Sequence, residues 1–343
     1  MDRYHRQSLL SQVGPAGQKR LANARVLLVG CGALGCSLAD QLVRAGVGSL
    51  RLVDRDVVEL TNLQRQTLFD EDDAKASAAK AEAAAARLKR INSTIHIDVI
   101  VADVWAGNIE ELAASATLIL DGTDNVQTRY LLNDAAVKLN IPWVHAACVG
   151  TEGRVMGVLP GITPCLRCVF PTPPAAGELP TCDTAGILGP AAMVAGALAA
   201  TMAIKIITGQ FQAQDQKLQT VDVWSGRFSA IDLAGAKDPA CPCCGKRQFI
   251  FLDADRAESS IALCGRNAVQ IRPTRPWDRN QFDQAISRLG SAGELEHAKW
   301  FTRCRLHEPA GVTITCFRDG RLMIDGTPDL GRAKSICARY IGA

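Results

Sequence analysis

A short strand, a glycine-rich turn and a helix follow one another near the start of the chain, and this unit constrains the fold more than any other feature. The aliphatic run Arg25–Val29 leads into Gly30-Cys-Gly32-Ala-Leu-Gly35. In such a unit the first glycine permits a tight turn, the second lets a phosphate approach the backbone, and the third lets the helix pack on the strand. Asp54 ends the next candidate strand, where an acid suits a ribose hydroxyl. The sequence therefore predicts a nucleotide site at these three glycines and Asp54.

Short aliphatic runs alternate with helical stretches over the first part of the chain, which is typical of βα units. We therefore expect an α/β protein with a Rossmann-like, mainly parallel sheet, helices on both faces, and a small C-terminal α+β module. The expected domains are residues 1–245 and 246–343. In the first domain the expected strands are Arg25–Val29, Leu50–Asp54, Ile95–Val101, Thr117–Leu120 and Pro142–Ala147, and the expected helices are Leu34–Ala45, Ala74–Ile91 and Val126–Leu139. In the module we expect strands Ala268–Ile271 and Lys299–Leu306, a hairpin of Val312–Phe317 with Leu322–Ile324, and helices Gln281–Leu289 and Leu330–Tyr340.

Composition excludes several classes of protein. Lysine and arginine number 38 against 35 acidic residues, and this net charge of +3 gives no electrostatic case for binding nucleic acid or a membrane surface. The 13 cysteines are an odd number, and the chain opens MDRYHRQ without an apolar leader, so we expect a reduced, cytoplasmic protein. The apolar run Gly186–Ile207 is rich in Ala and Gly and contains Pro190, so we interpret it as a buried helix and not as a membrane span.

Polar and basic residues follow the second expected strand. Asn62 and Arg65 come soon after Asp54, and Lys80 opens an Ala-rich helix. A hydride transfer needs no such cations, whereas a triphosphate that loses pyrophosphate does, because negative charge builds on the leaving oxygens. ATP is therefore the expected nucleotide. Two alternatives remain: an NAD-dependent oxidoreductase, favoured by the glycine turn and Asp54, and a non-catalytic nucleotide-binding scaffold.

Two pairs of cysteines have the spacing of metal-binding knuckles, Cys165-Leu-Arg-Cys168 and Cys241-Pro-Cys-Cys244. Each tight turn directs two thiolates to one point, and two knuckles supply the four soft ligands of a tetrahedral structural zinc. We therefore expect Zn²⁺ at these four cysteines. Cys243 is an alternative to Cys244, although the Cys-Pro-x-Cys-Gly form favours Cys244.

Together these motifs resemble the ThiF/MoeB/HesA family, bacterial relatives of ubiquitin-activating enzymes. The resemblance is carried over residues 1–245, in the family's order, by Arg3-Tyr-His-Arg6-Gln7, the glycine turn, Asn62-Leu-Gln-Arg65-Gln66, Gly122-Thr-Asp124-Asn125 and the two knuckles. It implies an ATP-dependent adenylyltransferase that acts on the C-terminal Gly-Gly carboxylate of a ubiquitin-like sulfur carrier of the ThiS or MoaD type and releases pyrophosphate. Such a reaction serves sulfur transfer in thiamine thiazole or molybdopterin biosynthesis. The resemblance also implies a homodimer, with a cysteine desulfurase as a further partner, and the C-terminal module resembles the tail of longer ThiF-type proteins.

The resemblance gives roles to individual residues. It implies that Asp54 holds the ribose of ATP. It further implies that Asn62, Arg65 and Lys80 contact the phosphates, and that Asp124 takes Mg²⁺. These residues would form the nucleotide site together with the glycine turn.

Two more roles follow from the resemblance. Arg6 resembles the arginine that reaches the triphosphate from the other subunit of a dimer. Cys182 follows the Pro-rich stretch Pro171–Pro180, which we expect to be a mobile crossover loop, and matches the family's loop cysteine, which in relatives can form a covalent bond during sulfur transfer. Lys75 lies close to Lys80 in the sequence, but counting back from the end of the helix favours Lys80 as the phosphate ligand.

Overall fold

The computed structural model describes residues 3–174, 178, 181–253, 259–263, 267–273 and 275–342. The chain divides into two compact units, Met1–Ala175 with Ala185–Ala254, and Ala176–Thr184 with Asp255–Ala343. The domain boundary expected after residue 245 stays a prediction. The expected crossover loop, Pro171–Pro180, lies partly outside the described residues.

The first unit is built on one large sheet. Its strands are β1 (Arg25–Val29), β2 (Ser49–Val53), β3 (His96–Ile100), β4 (Leu118–Asp121), β5 (Trp143–Val149), β6 (Glu152–Val158), β7 (Lys217–Asp222) and β8 (Arg227–Asp232), in the order β3-β2-β1-β4-β5-β6-β7-β8. Neighbours from β3 to β5 in this order are parallel, and neighbours from β5 to β8 are antiparallel. The Rossmann-like, mainly parallel sheet is thus confirmed. The antiparallel extension is an addition that the sequence patterns do not predict.

Helices surround this sheet. Those before residue 254 are α1 (His5–Ser8), α2 (Gly14–Asn23), α3 (Ala33–Ala45), α4 (Glu71–Lys75), α5 (Lys80–Ile91), α6 (Ile109–Ala113), α7 (Val126–Leu139), α8 (Leu166–Val169), α9 (Cys182–Ala185), α10 (Gly189–Thr208) and α11 (Ile250–Asp253). Helix α10 packs against α3, β5 and β6. Of the helices in the described part of the chain, only α10 is long and apolar enough to cross a membrane. Half of its apolar segment is buried within the protein. Its small side chains let it pack closely as a core helix.

The expected single helix Ala74–Ile91 is divided into α4 and α5. Ser77 has a positive φ of 46°, a left-handed conformation that a helix cannot continue through. The chain then forms a short antiparallel bridge between Val57 and Ala79 before α5 begins. The break places Lys80 at the first position of α5, as the sequence predicts.

Three glycines let separate backbone segments touch at the end of the parallel strands. Gly30 follows β1 with a φ of +90°, and a β-carbon there would lie 2.7 Å from the carbonyl oxygen of Gly122, just after β4. A β-carbon on Gly35 of α3 would lie 2.0 Å from the carbonyl oxygen of Gly30. Only glycine fits at these contacts, because any side chain would push the segments apart.

The second unit is built on an antiparallel sheet. Its strands are β9 (Ser259–Leu263), β10 (Ala268–Arg272), β11 (Gly293–His297), β12 (Phe301–Leu306), β13 (Thr313–Phe317) and β14 (Leu322–Asp325), in the order β11-β12-β13-β14-β10-β9. Helices α12 (Arg279–Leu289) and α13 (Leu330–Tyr340) share a core with this sheet through Phe282, Ile314 and Ile336. The α+β module is confirmed, with β9 and β11 in addition to the expected strands.

Replacing Gly35 with alanine should destabilise the first unit. Because the new β-carbon would lie 2.0 Å from a backbone oxygen, we expect Gly35→Ala to lower the free energy of unfolding by about 3 kcal/mol or more. The matched control is Gly32→Ala, where the β-carbon meets only the Gly122 oxygen at 3.9 Å, and here we expect a loss below about 1 kcal/mol. Urea unfolding followed by tryptophan fluorescence measures both variants. Equal losses would contradict the packing described above.

Candidate active site

Asp54 follows β2 and contacts the glycine turn. Its Oδ2 accepts a hydrogen bond from the Cys31 backbone N–H at 2.6 Å, and its Oδ1 accepts one from the Asp56 N–H at 2.7 Å. The side chain is buried, and burial raises the pKa of its carboxyl above the usual value, while the Lys80 charge acts in the opposite direction. Asp54 thus fixes the backbone of the glycine turn. Its contact with a ribose stays a prediction.

Lys80 is buried beside Asp56. Its backbone N–H donates to the Asp56 carbonyl oxygen at 2.9 Å, and its Nζ lies 3.4 Å from Asp56 Oδ2. Burial lowers the pKa of Lys80, but the carboxylates of Asp56, Asp54 and Asp124 raise it, and the pKa lies above its usual value. The ammonium group therefore keeps its charge although it is buried.

Lys75, the other lysine near the start of this helix pair, lies at the end of α4. Its Nζ is 3.7 Å from Glu71 and 3.5 Å from Asp72, and all three side chains are exposed. Exposed pairs of this kind contribute little to stability and leave Lys75 at the surface. Of the two lysines, the structure brings Lys80 to the carboxylates that surround the glycine turn.

Asn62, Arg65 and Gln66 lie in and after a 3-10 turn. The Asn62 Oδ1 accepts from the Glu59 N–H at 3.1 Å and closes this turn. Arg65 is partly exposed, and its Nη1 donates to the Thr61 carbonyl oxygen at 2.9 Å. Gln66 is 3% exposed, and its Oε1 has no hydrogen-bond partner within the described structure. A buried oxygen of this kind fits a site that a polar ligand completes, and the sequence patterns give no role to this residue. The phosphate contacts of Asn62 and Arg65 stay predictions.

Asp124 lies on the loop between β4 and α7, with its side chain exposed. The next residue, Asn125, caps α7: its Oδ1 accepts from the Gln127 and Thr128 N–H groups at 2.8 and 3.2 Å. The Asp124 charge acts on the pKa of Lys80, so the two side chains share one electrostatic environment. An exposed carboxylate is the kind of hard oxygen ligand that Mg²⁺ prefers, and the donor fits the metal. Its role as a Mg²⁺ ligand stays a prediction.

Asp121, at the end of β4, is a buried carboxylate that the sequence patterns do not single out. Its Oδ2 lies 2.8 Å from Arg129 Nε and 3.2 Å from His145 Nδ1, and its Oδ1 accepts from the N–H and hydroxyl of Thr123. Burial acts to raise the pKa of Asp121, but the Arg129 charge and these hydrogen bonds hold it below its usual range. Burial lowers the pKa of His145. The only signal in the sequence is an acid at the end of an otherwise aliphatic strand.

Arg6 and Cys182 lie on short helices. Arg6 is exposed on α1, which is anchored on both sides: the Asn92 Nδ2 donates to the Tyr4 hydroxyl at 2.8 Å, and the Gln7 Nε2 donates to the last carbonyl of α3 at 2.9 Å. Cys182 is the first residue of α9, and its side chain lies outside the described part of the structure. The roles of both residues stay predictions.

Four cysteine thiols form a cluster at the two knuckles. The Cys165 Sγ lies 3.9 Å from that of Cys168 and 3.6 Å from that of Cys241, and the Cys168 Sγ lies 3.4 Å from that of Cys244. All four Sγ atoms lie within 4.8 Å of one another. Tetrahedral Zn–S bonds of about 2.3 Å place sulfurs about 3.8 Å apart, so the spacing fits a single metal ion.

Cys243 is buried beside this cluster and is not one of its four thiols. Its Sγ accepts a hydrogen bond from Asn133 Nδ2 at 3.3 Å, and the Asn133 Oδ1 accepts from the Leu166 N–H at 2.9 Å. The side-chain amide of Asn133, on α7, therefore forms hydrogen bonds with both knuckles. In this geometry Cys244, and not Cys243, joins the other three thiols, and the choice of Cys244 as the zinc ligand stays a prediction.

The fold and the site define an α/β protein with a Rossmann-like sheet, a glycine turn, a buried lysine, an exposed acid near that turn and a cluster of four thiols. The model of the ThiF family matches residues 4–243. The chain belongs to the ThiF family.

Curated relatives agree with this assignment, and a solved structure is similar in fold. The chain is 43% identical over 341 residues, 99% of each chain, to the sulfur carrier protein ThiS adenylyltransferase of Bacillus subtilis (strain 168). It is 38% identical over 250 residues, 71% of this chain and 91% of the relative, to a sulfur carrier protein adenylyltransferase of Thermus thermophilus. The crystal structure of E. coli MccB with ATP is similar in fold, with a TM-score of 0.60 and 24% identity over 71% of this chain and 75% of that chain.

Proposed function

We propose that this chain is an ATP-dependent adenylyltransferase that joins AMP to the C-terminal Gly-Gly carboxylate of a ubiquitin-like sulfur carrier of the ThiS or MoaD type. The observation that carries the proposal is the match over 99% of both chains to a ThiS adenylyltransferase. The coverage favours the thiamine thiazole route over molybdopterin biosynthesis, because the MOCS3 relatives match 78% of this chain or less and 57% or less of their own length.

The chemistry requires positioning and charge neutralisation. A carboxylate with a pKa of about 4 is ionised at pH 7, so no general base is needed. One of its oxygens forms a bond to the α-phosphorus of ATP while the bond from that phosphorus to the pyrophosphate oxygen breaks. Lys80 and Arg65 would stabilise charge on the phosphates, and the N-terminus of α3 would face them across the glycine turn. Held by Asp124, Mg²⁺ would supply further positive charge to the departing pyrophosphate.

Several finer features belong to the same proposal. We infer a homodimer in which Arg6 of one subunit reaches the nucleotide of the other. This inference is supported by the exposed position of Arg6 on the anchored helix α1. We propose a cysteine desulfurase as the source of sulfur. We propose the cytoplasm as the compartment of the protein. Residues 1–245 would form the adenylyltransferase domain and residues 246–343 the C-terminal module.

A protein substrate is supported by exposed apolar side chains at the edge of the large sheet, Trp224, Phe228 and Ile231.

Two other functions are open to test. An NAD-dependent oxidoreductase is disfavoured, because the chain belongs to the ThiF family. A non-catalytic scaffold would bind ATP without turnover. Both are separated from the proposed function by one exchange experiment.

Purified protein with ATP, Mg²⁺ and a carrier ending in Gly-Gly should exchange radiolabelled pyrophosphate into ATP. Arg65→Ala and Asp124→Ala should each lower the exchange rate by about a hundredfold or more, because the first removes a positive charge facing the phosphates and the second removes the carboxylate that would hold Mg²⁺. The rate of label incorporation into ATP is the measurement.

Two lysine variants provide the matched control for this experiment. Lys80→Gln and Lys75→Gln make the same change within one short segment, but only Lys80 is buried beside Asp56. We expect exchange to be lost in the first and kept in the second. No exchange with any Gly-Gly carrier would count against adenylation. ATP binding without exchange would then support a scaffold, and NADH binding without ATP binding would support an oxidoreductase.

Cys182→Ala should separate adenylation from sulfur transfer. We propose that the Cys182 thiolate attacks the carbonyl carbon of the adenylated carrier and forms a thioester while the bond to AMP breaks and AMP leaves. Because this step follows adenylation, loss of the thiol should leave exchange within about twofold of wild type. Formation of the carrier thiocarboxylate, followed by mass spectrometry, should fail. Loss of pyrophosphate exchange in this variant would show that the thiol is needed earlier than we propose.

We propose that the four-thiol cluster holds one structural Zn²⁺, supported by its spacing and by the soft sulfur ligands. Cys244→Ser should lose the metal and lower the melting temperature, because the tetrahedral set is then incomplete. Cys243→Ser should keep one zinc per chain, since this thiol lies outside the cluster. Elemental analysis after desalting measures zinc. The opposite pattern of retention would exchange the roles of the two cysteines.

A further inference from the structure

Thr123, the residue before Asp124, forms hydrogen bonds through three of its groups. Its N–H and its hydroxyl donate to Asp121 Oδ1 at 3.0 and 2.8 Å. Its carbonyl oxygen accepts from Arg129 Nη2 at 3.0 Å. A residue held at its N–H, side chain and carbonyl has little freedom left in its backbone dihedrals. The direction in which the chain continues to Asp124 is therefore set by these contacts.

Arg129, on α7, contacts both Asp121 and Thr123. Its Nε donates to Asp121 Oδ2 at 2.8 Å, so one guanidinium contacts both the carboxylate and the Thr123 carbonyl. His145 on β5 lies 3.2 Å from the same carboxylate oxygen. The Asp121 side chain is 0% exposed and that of Arg129 is 14% exposed. Because the carboxylate is fully buried, its charge depends on these partners and not on solvent.

We propose that Arg129 is a positioning residue for the nucleotide site: through Asp121 and Thr123 it fixes the loop that presents the Asp124 carboxylate to the metal of MgATP. This inference rests on the proposed function, in which Asp124 binds Mg²⁺. A preorganised loop binds more tightly because it does not have to be ordered when the ligand arrives. Lys80 and the glycine turn are held by different contacts, to Asp56 and Asp54. Loss of the Arg129 contacts should therefore weaken the Mg²⁺-dependent part of ATP binding and spare the rest.

The experiment compares ATP affinity with and without Mg²⁺. Isothermal titration of the full-length protein with ATP, in MgCl₂ or in EDTA, gives the factor by which Mg²⁺ tightens binding. We expect Arg129→Gln and Thr123→Val to reduce this factor by about tenfold, the effect of losing one hydrogen bond to a charged group. Affinity in EDTA should change by less than about twofold. Thr123→Ser keeps the hydroxyl donor and should restore the wild-type factor.

Arg51→Gln is the matched control. Arg51 on β2 makes the same pair of contacts elsewhere in the unit: its Nε lies 2.7 Å from Asp98 Oδ2 and its Nη1 donates to the Leu112 carbonyl at 2.8 Å. Its replacement should lower the melting temperature without changing the Mg²⁺ factor. Thermal unfolding of every variant shows that the protein tested is folded, and Thr123→Val serves if Arg129→Gln does not fold.

The outcomes separate this inference from the proposed function. Wild-type protein that binds ATP with no effect of Mg²⁺ would overturn both. In a second outcome, Mg²⁺ tightens ATP binding by the same factor in the wild type and in the folded variants Arg129→Gln and Thr123→Val. That result would overturn the positioning role alone. An equal fall of the factor in Arg51→Gln would also overturn it, because the effect would then be one of general stability.

Discussion

Direct backbone contact between three chain segments is the constraint on which the first unit depends. The end of β1, the first turn of α3 and the loop after β4 meet at Gly30, Gly35 and Gly122, where a β-carbon would come within 3 Å of a neighbouring backbone atom. This contact brings the ends of β1 and β4 to one edge of the sheet, so the residues that follow them face the same space. Asp54, at the end of β2, then ties the turn in place through the Cys31 N–H. The arrangement of the glycine turn and the residues around it is thus a consequence of how the strands end.

The parts of the structure that the sequence predicts are those with local signals. The strand Arg25–Val29 and the helices Val126–Leu139 and Leu330–Tyr340 are found with the expected bounds, because each has its own hydrophobic pattern and clear ends. The two CxxC knuckles are equally local, since a tight turn is enough to bring two thiols together. Lys80 could be placed because it opens an alanine-rich segment.

The parts that could not be predicted depend on contacts between distant segments. Strands β6, β7 and β8 extend the sheet by antiparallel pairing, which no local pattern of βα units announces. The break at Ser77 separates α4 from α5 within a segment whose composition favours one continuous helix. Asp121 meets His145 and Arg129, which come from another strand and from a helix. Which of Cys243 and Cys244 lies with the other three thiols also depends on three-dimensional position, because the two are adjacent in the sequence.

Helix α7 connects the loop that carries Asp124 with the two cysteine knuckles. Its first turns are fixed to the Asp124 loop by Arg129, and its middle is fixed to the cysteine knuckles by Asn133 and by Asp134, which lies 3.6 Å from Arg167 Nη1. A helix that only covered a sheet would bury apolar residues, whereas α7 buries Asn133 and Asp134 at 0% exposure. Buried polar groups are tolerated when each has a partner, and here the partners belong to the knuckles and, through the Phe251 N–H, to α11. Since α7 cannot shift along its axis without breaking these pairs, one helix links the position of the knuckles to that of the loop that carries Asp124.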